Sequence, residues 1–304
     1  MLVKDAQVAE TAARERTILE ALRHPFVVDL VGCFQSPGAC YFLLEYVPGG
    51  ELFSLVSRRG MGEAGARFFA ACAAEVLEHV HDAGYVFRDG GAATRRGAQV
   101  LIDALGYARL VDFGFAARLP ESGQTYTILG TPEYLSPECV LGQGYRFDVD
   151  LWAFGVLVYE MLRGRSPFCA PDPEDTVAVF RNVTTAKVRI SRRMPPDLGA
   201  LVGEVLRRDR RDRLGDRGGA ADVKKHAAFA FLSESDDGWG ALRRRELPSP
   251  HAPALDGPAD TSRFDAYDEG EEFPRYGGDQ TPFAAFSSGG FVDDPPRVAG
   301  GAVG

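Results

Sequence analysis

The run Leu151–Leu162, "LWAFGVLVYEML", constrains the chain more than any other stretch. It is bounded by Asp150 and Arg163, and it is too short to cross a bilayer, which takes about 20 apolar residues. Read at helical period, residues 148–162 are apolar on nearly every side, so this helix has no face to give to water. It predicts a helix at the centre of a larger body. Segments of the same period are available to wrap it. Residues 63–82 carry a stripe of Phe68, Phe69, Cys72, Val76, Leu77 and Val80, and further helices are predicted at 51–59, 174–182, 196–207 and 220–227.

The first 50 residues read differently. A helix is predicted over 7–23 from Val8, Ile18, Leu19 and Leu22 among Glu and Arg, ending before His24-Pro25. Residues 26–34 and 41–47 read as strands joined at Ser36-Pro37-Gly38 into a hairpin that Pro48-Gly49-Gly50 closes. Two strands and one helix cover one another badly, so an exposed apolar edge is expected. Short strand-like pieces alternate with turns over 99–113. Beyond 233, Gly, Pro, Asp and Ser dominate with scattered aromatics, which predicts an extended tail with no core of its own.

Of the 304 residues, 45% are apolar and 25% charged, which suffices for a sizeable core. The net charge of -9 disfavours a nucleic-acid or anionic-membrane role and suits basic partners. Five cysteines with no Cys-x-x-Cys pair read as reduced thiols in a cytosolic setting. The polar N-terminus has no apolar signal region.

Motifs fall in a specific order. Phe87-Arg88-Asp89 comes first, then Asp112-Phe113-Gly114, then Gly130-Thr131-Pro132-Glu133-Tyr134 and Ser136-Pro137-Glu138, with Asp150-Leu151-Trp152 and Arg213 following. In this order and spacing they resemble the eukaryotic protein kinases. "EYVPGGELF", "VDFGFA", "GTPEYLSPE" and "GVLVYEML" are similar to the AGC group, and within it to the catalytic chain of the cAMP- and cGMP-dependent kinases. "GPADTSRFDAYDEGEEF" resembles the AGC C-terminal tail, and Phe283 and Phe286 its hydrophobic motif. The resemblance spans about residues 5–286. It implies an α+β fold of two lobes: a truncated, β-containing small lobe with the hinge (1–47), a mainly helical large lobe (48–232) and a partly disordered tail (233–304).

The resemblance also implies roles. Glu45, Tyr46 and Val47 match the hinge, with the Glu45 carbonyl and the Val47 N–H on the adenine edge of ATP; Glu51 and Leu101 belong to the same nucleotide site. Asp112 matches the Mg²⁺ ligand, and Gln99 stands where the family has a second ligand, Asn. Asp89 matches the residue that orients the substrate hydroxyl, and Arg88 pairs with a phosphate on Thr127 of the activation loop. Glu51 and Glu160 match acids that read basic residues of the substrate. Glu138 and Arg213 match a buried architectural pair; Glu15 matches the helix acid that holds an ATP-positioning lysine. Leu19, Leu30, Phe87, Phe113 and Asp150 match residues stacked between the lobes. Plainer readings stand beside these: 41–47 as a buried strand, Asp112 as a turn residue, Asp89 as a loop acid paired to Arg88, and Glu15, Glu51 and Glu160 as solvated acids.

Three features depart from the family. No Gly-x-Gly-x-x-Gly loop precedes the first helix, and Lys4 reads as a helix flank too near Glu15 to be its partner. After Asp89, "GGAATRRGA" and Gln99 replace the family's shorter Leu-Lys-Pro-Glu-Asn with a flexible, Gly- and Ala-rich loop that lacks the catalytic lysine. The resemblance therefore implies a Ser/Thr kinase acting with ATP and Mg²⁺ on Arg/Lys-rich proteins, slow as written, and a cyclic-nucleotide-binding regulatory subunit as partner. Its address would be the cytoplasm, with the nucleus as a second one. The alternative is a pseudokinase or docking decoy that transfers no phosphate.

Overall fold

A computed structural model describes residues 6–36, 39–56, 59–88, 100–233 and 236–264, together with Phe286. Helix α1 (Ala6–Ala21) leads into the antiparallel hairpin β1 (Leu30–Ser36) and β2 (Ala39–Leu44). The hairpin is the one read from the sequence, with Gln35 opposite Cys40 and Ser36 opposite Ala39. Its first strand starts later than expected. Phe26–Val28 finds other partners: the Leu110 N–H donates to the Phe26 carbonyl (2.7 Å) and the Val28 N–H to the Leu110 carbonyl (3.0 Å). The segment is thereby tied to a strand far along the chain. The expected apolar edge is present, with Val31 65% and Leu43 48% exposed.

The predicted helix at 51–59 is a single 3-10 turn, Leu52–Leu55, because the Glu51 carbonyl takes both the N–H and the hydroxyl of Ser54. Helix α2 (Glu63–Asp82) follows, then the short strands β3 (Tyr85–Val86), β4 (Val100–Ile102), β5 (Ala108–Leu110) and β6 (Ala117–Arg118). They pair as β3 with β6 and β4 with β5, both antiparallel. Helix α3 (Pro137–Val140) precedes α4 (Asp148–Arg163), and α5 (Thr176–Thr185), α6 (Pro196–Val205), α7 (Gly219–Lys224), α8 (Ala230–Ser233) and α9 (Gly238–Arg243) complete the order.

The apolar helix α4 is central, as its composition demands. Trp152, Val156, Val158 and Met161 are fully buried between α2 and α6. Asp148 and Asp150 sit in its first turn, where the helix dipole favours negative charge, and Gly164 ends it in the left-handed conformation (φ 71°). Residues 236–264 have no core of their own but use that of the helical body. Leu242 is fully buried, the Tyr107 hydroxyl donates to the Leu247 carbonyl (2.6 Å), and the Phe264 ring lies 6.0 Å from that of Tyr46. Phe286 is buried with Ala12, Cys33 and Cys40 between α1 and the hairpin. Among the described residues no helix is long and apolar enough to cross a membrane.

Candidate active site

Two backbone positions, one in each of the two motifs, mark the site. Arg88 and Asp112 are non-glycine residues at φ 63°, a conformation that holds only where the surroundings impose it. For Arg88 the imposing group is Asp150, buried in the first turn of α4. Its carboxylate accepts from the Phe87 N–H (2.7 Å), the Arg88 N–H (2.8 Å) and His81 Nε2 (2.9 Å). The large helical body thus fixes the chain that leads into residue 89. Arg88 Nε donates to the Phe115 carbonyl (2.6 Å), and the Phe87 and Phe113 rings meet edge-on at 5.3 Å. Asp112 Oδ1 accepts from the Gly114 N–H (3.0 Å). Asp89 and Gln99 lie outside the described residues.

Glu15 on α1 faces this turn. Its carboxyl accepts from the Phe113 N–H, and the neighbouring Arg14 donates to the Gly114 carbonyl (3.3 Å). Burial pushes the Glu15 pKa up to about 7, the negative charge of Asp112 adds to this, and the Phe113 N–H and Arg14 oppose it. Glu15 is therefore no solvated helix acid. It is an acid pressed against a second acid.

Glu45 uses its side chain structurally: it accepts from the Asp29 N–H (2.9 Å) and pairs with the buried Arg109. Its carbonyl and the Val47 N–H take no backbone partner among the described residues. Val47 itself is buried. Glu51 and Leu101 form an antiparallel bridge, flanked by Gly49 N–H to the Ile102 carbonyl (2.8 Å) and Ile102 N–H to the Gly50 carbonyl (2.9 Å). At Gly49 a side chain would strike that carbonyl, so this close approach needs glycine.

Glu160 accepts from the Tyr134 hydroxyl (2.6 Å); burial, with the charge of Glu133 adding to it, raises its pKa, and the tyrosine bond opposes the rise. Glu133 is raised as well, by burial, with Ser166 opposing. Two carboxyls so placed can attract cations. Sequence reasoning named Glu160 alone; the signal for Glu133 was its place beside Tyr134 in the same motif. Thr127 is exposed, and its carbonyl accepts from the Tyr145 hydroxyl (2.5 Å), which also lies within reach of Arg88. Tyr145, like His81, was not singled out from the sequence.

Arg213 holds Glu138 through two hydrogen bonds (2.6 and 3.0 Å), with the Trp152 ring 5.1 Å beneath its guanidinium. Burial raises the Glu138 pKa, but the bonds and charge of Arg213 outweigh it and leave Glu138 below the ordinary carboxylate range. The pair is buried and remote from solvent, an architectural tie between the 130–140 segment and the 208–214 segment.

Residues 2–229 match the family described as protein kinase domain. The chain belongs to the protein kinase family. It is 37% identical over 270 residues to cGMP-dependent protein kinase 2 of Homo sapiens, covering 87% of this chain and 34% of that protein. It is 36% identical over 275 residues to cAMP-dependent protein kinase type 3 of Saccharomyces cerevisiae (90% and 65%), and 35% identical over 259 residues to the cAMP-dependent protein kinase catalytic subunit PRKX of Homo sapiens (84% and 68%). The chain thus spans about a third of the length of the cGMP-dependent relative. In this α+β kinase fold, Glu15 meets Asp112 and the Phe113 N–H, while Phe87 and Arg88, clamped by Asp150, meet the Phe113 ring and the Phe115 carbonyl. Thr127 adjoins them through Tyr145, while Glu138 and Arg213 stay below as a tie. Among the described residues no three His, Cys, Asp or Glu side chains are arranged to hold a metal ion by themselves.

Proposed function

We propose that this chain is a Ser/Thr protein kinase of the cyclic-nucleotide-dependent type. It would transfer the γ-phosphate of ATP to Ser or Thr of Arg/Lys-rich proteins, slowly in the sequence as written. The observation that carries this reading is the Asp150 clamp, which holds Arg88 in its left-handed conformation while Arg88 and Phe87 contact the 113–115 turn that follows Asp112. Phosphoryl transfer asks the protein for positioning and charge placement, and this arrangement supplies both. Asp112 fits Mg²⁺: one oxygen is anchored by Gly114, and Mg²⁺ needs only one or two protein carboxylates when nucleotide phosphates supply further oxygens. The ion, once bound, neutralises phosphate charge. Gln99 is a second, weaker ligand, with Asp89 to orient the substrate hydroxyl. Glu45, Val47, Glu51 and Leu101 hold the nucleotide. Glu51 and Glu160, now joined by Glu133, read basic substrate residues.

The same reading divides the chain into a small lobe (1–47), a large lobe (48–232) and a tail (233–304). A cyclic-nucleotide-binding regulatory subunit is the proposed partner, the cytoplasm and nucleus the proposed address. Phosphate on Thr127 would pair with Arg88 and tighten the loop already tethered by Tyr145. A docking or decoy role without phosphotransfer is the second reading. It is favoured by Glu15, whose charged neighbours among the described residues are Asp112 and Arg14, not a lysine.

The test is phosphate incorporation into an Arg-rich Ser peptide by three proteins: the chain as written, a chain with Leu-Lys-Pro-Glu-Asn in place of 90–99, and that repaired chain with Asp89→Ala. A preorganised charge contact is worth on the order of 100- to 1000-fold in rate. The repaired chain should therefore exceed the written one by at least that factor, and Asp89→Ala should remove the gain. Robust turnover by the written chain would overturn the low-rate proposal; a silent repaired chain would leave the docking reading.

A further inference from the structure

Away from the cleft, a groove of about 540 Å³ runs between the Thr125–Tyr145 bridge, the start of α4 and the 208–219 segment. Sites that bind ligands have this size. Five arginines and three aspartates line it, and their charges do not cancel locally. Asp148 is taken by Arg210 (2.6 Å) and approached by Arg213 (3.5 Å), and Asp209 is taken by Arg211 (2.9 Å). Arg208 gives its donors to the main-chain carbonyls of Asn182, Val183 and Ala186, so its charge has no acid against it. Arg146 and Arg217 are exposed, and neither guanidinium has a side-chain partner among the described residues. Against these three stands Asp216. A chain of net charge -9 thus concentrates uncompensated positive charge in one concave place.

We infer that this groove docks an acidic segment of a partner protein, with Arg146 and Arg217 as its carboxylate contacts. Guanidinium groups bind carboxylates through paired N–H donors, and a concave wall strengthens the local field. Gln124 and Gln143 on the wall add amide groups for main-chain contacts. The net charge of -9 over the whole chain repels a long polyphosphate, which favours a short acidic segment over a nucleic acid. Gln124 adjoins the Thr125–Tyr145 bridge, so an occupant touches the loop that carries Thr127. The ligand has the opposite charge to the proposed kinase substrate, so the two readings stand or fall separately.

The experiment uses the full chain and a fluorescein-labelled peptide of Glu alternating with Gly, followed by anisotropy. Binding is expected, weakening as salt rises. Arg146→Glu with Arg217→Glu should weaken it by about tenfold or more. Arg192→Glu with Arg193→Glu makes the same charge change on the exposed turn before α6 and should leave affinity within about twofold. Arg146→Gln with Arg217→Gln should give an intermediate loss and decides the matter if the Glu pair alters the thermal melt. No binding by the parent chain, an equal loss in the Arg192/Arg193 variant, or tighter binding of a single-stranded RNA than of the peptide overturns the inference.

Discussion

Glu15 binds its proton more tightly in the folded chain than out of it, because burial and Asp112 disfavour the carboxylate. The sign of the consequence is fixed. The folded state holds more protons than the unfolded one between pH 4.5 and about 7, so the stability Glu15 contributes is full below that window and is lost as pH rises through it. Glu15→Gln keeps an acceptor for the Phe113 N–H and removes the charge. Its unfolding free energy, from urea titration, should match that of the parent at pH 4 and exceed it at pH 8, by up to about 3 kcal/mol. Equal differences at the two pH values would show that Glu15 does not carry this charge in the fold. The position of Glu15 in a motif was readable from the chain. Its neighbours were not, since Phe113 and Asp112 reach it from a loop about a hundred residues away. Tyr145 and His81 went unnamed, and Glu133 was named only within a motif and given no role, for the same reason: each acts through a partner that only folding brings near.

Helix α4 joins composition to packing. Gly155 lies inside it, where alanine would normally favour the helix by about 1 kcal/mol. A methyl group there would stand 2.5 Å from Val205 Cγ2 and 2.8 Å from Leu206 Cδ2. Overpacking of this kind costs about 1–3 kcal/mol, and the β-branched Val205 has little freedom to retreat. Gly155→Ala should therefore lower the thermal midpoint, against its helix propensity, and Gly155→Ala with Val205→Ala should recover part of the loss. A higher midpoint for the single variant would refute this packing. The central place of α4 was legible because a helix apolar all round has nowhere else to go. The hairpin was legible from its two apolar runs and its turn. The loss of Phe26–Val28 from the first strand was not, because β5 competes for its hydrogen-bonding groups.

Across the whole molecule, the tail ties distant parts together. Phe286 fills a cluster with Ala12, Cys33 and Cys40, its ring 5.3 Å from that of Phe42 and its carbonyl bonded to Arg16 (2.5 Å). Removing a buried phenyl group costs about 3 kcal/mol or more. Because this cluster meets the main core through the half-buried Leu30 and Phe42 of the hairpin and shares no buried residue with it, the loss should be local. Phe286→Ala should speed hydrogen exchange of the β1–β2 amides and leave those of α4 unchanged. Faster exchange in α4 as well, or no change in the hairpin, would contradict a local role for Phe286.

By itself the amino-acid order determined the helices of clear period, the hairpin, the central helix and the family, because periodicity, turn chemistry and motif spacing are properties of near neighbours. Only the tertiary structure decided that Asp150 clamps Arg88, that Glu15 meets a second acid, that Glu133 joins Glu160, and that Arg146 and Arg217 face one groove. A charge or a hydrogen-bonding group takes its energy from whatever lies within a few ångströms. For these residues the neighbours come from remote parts of the chain.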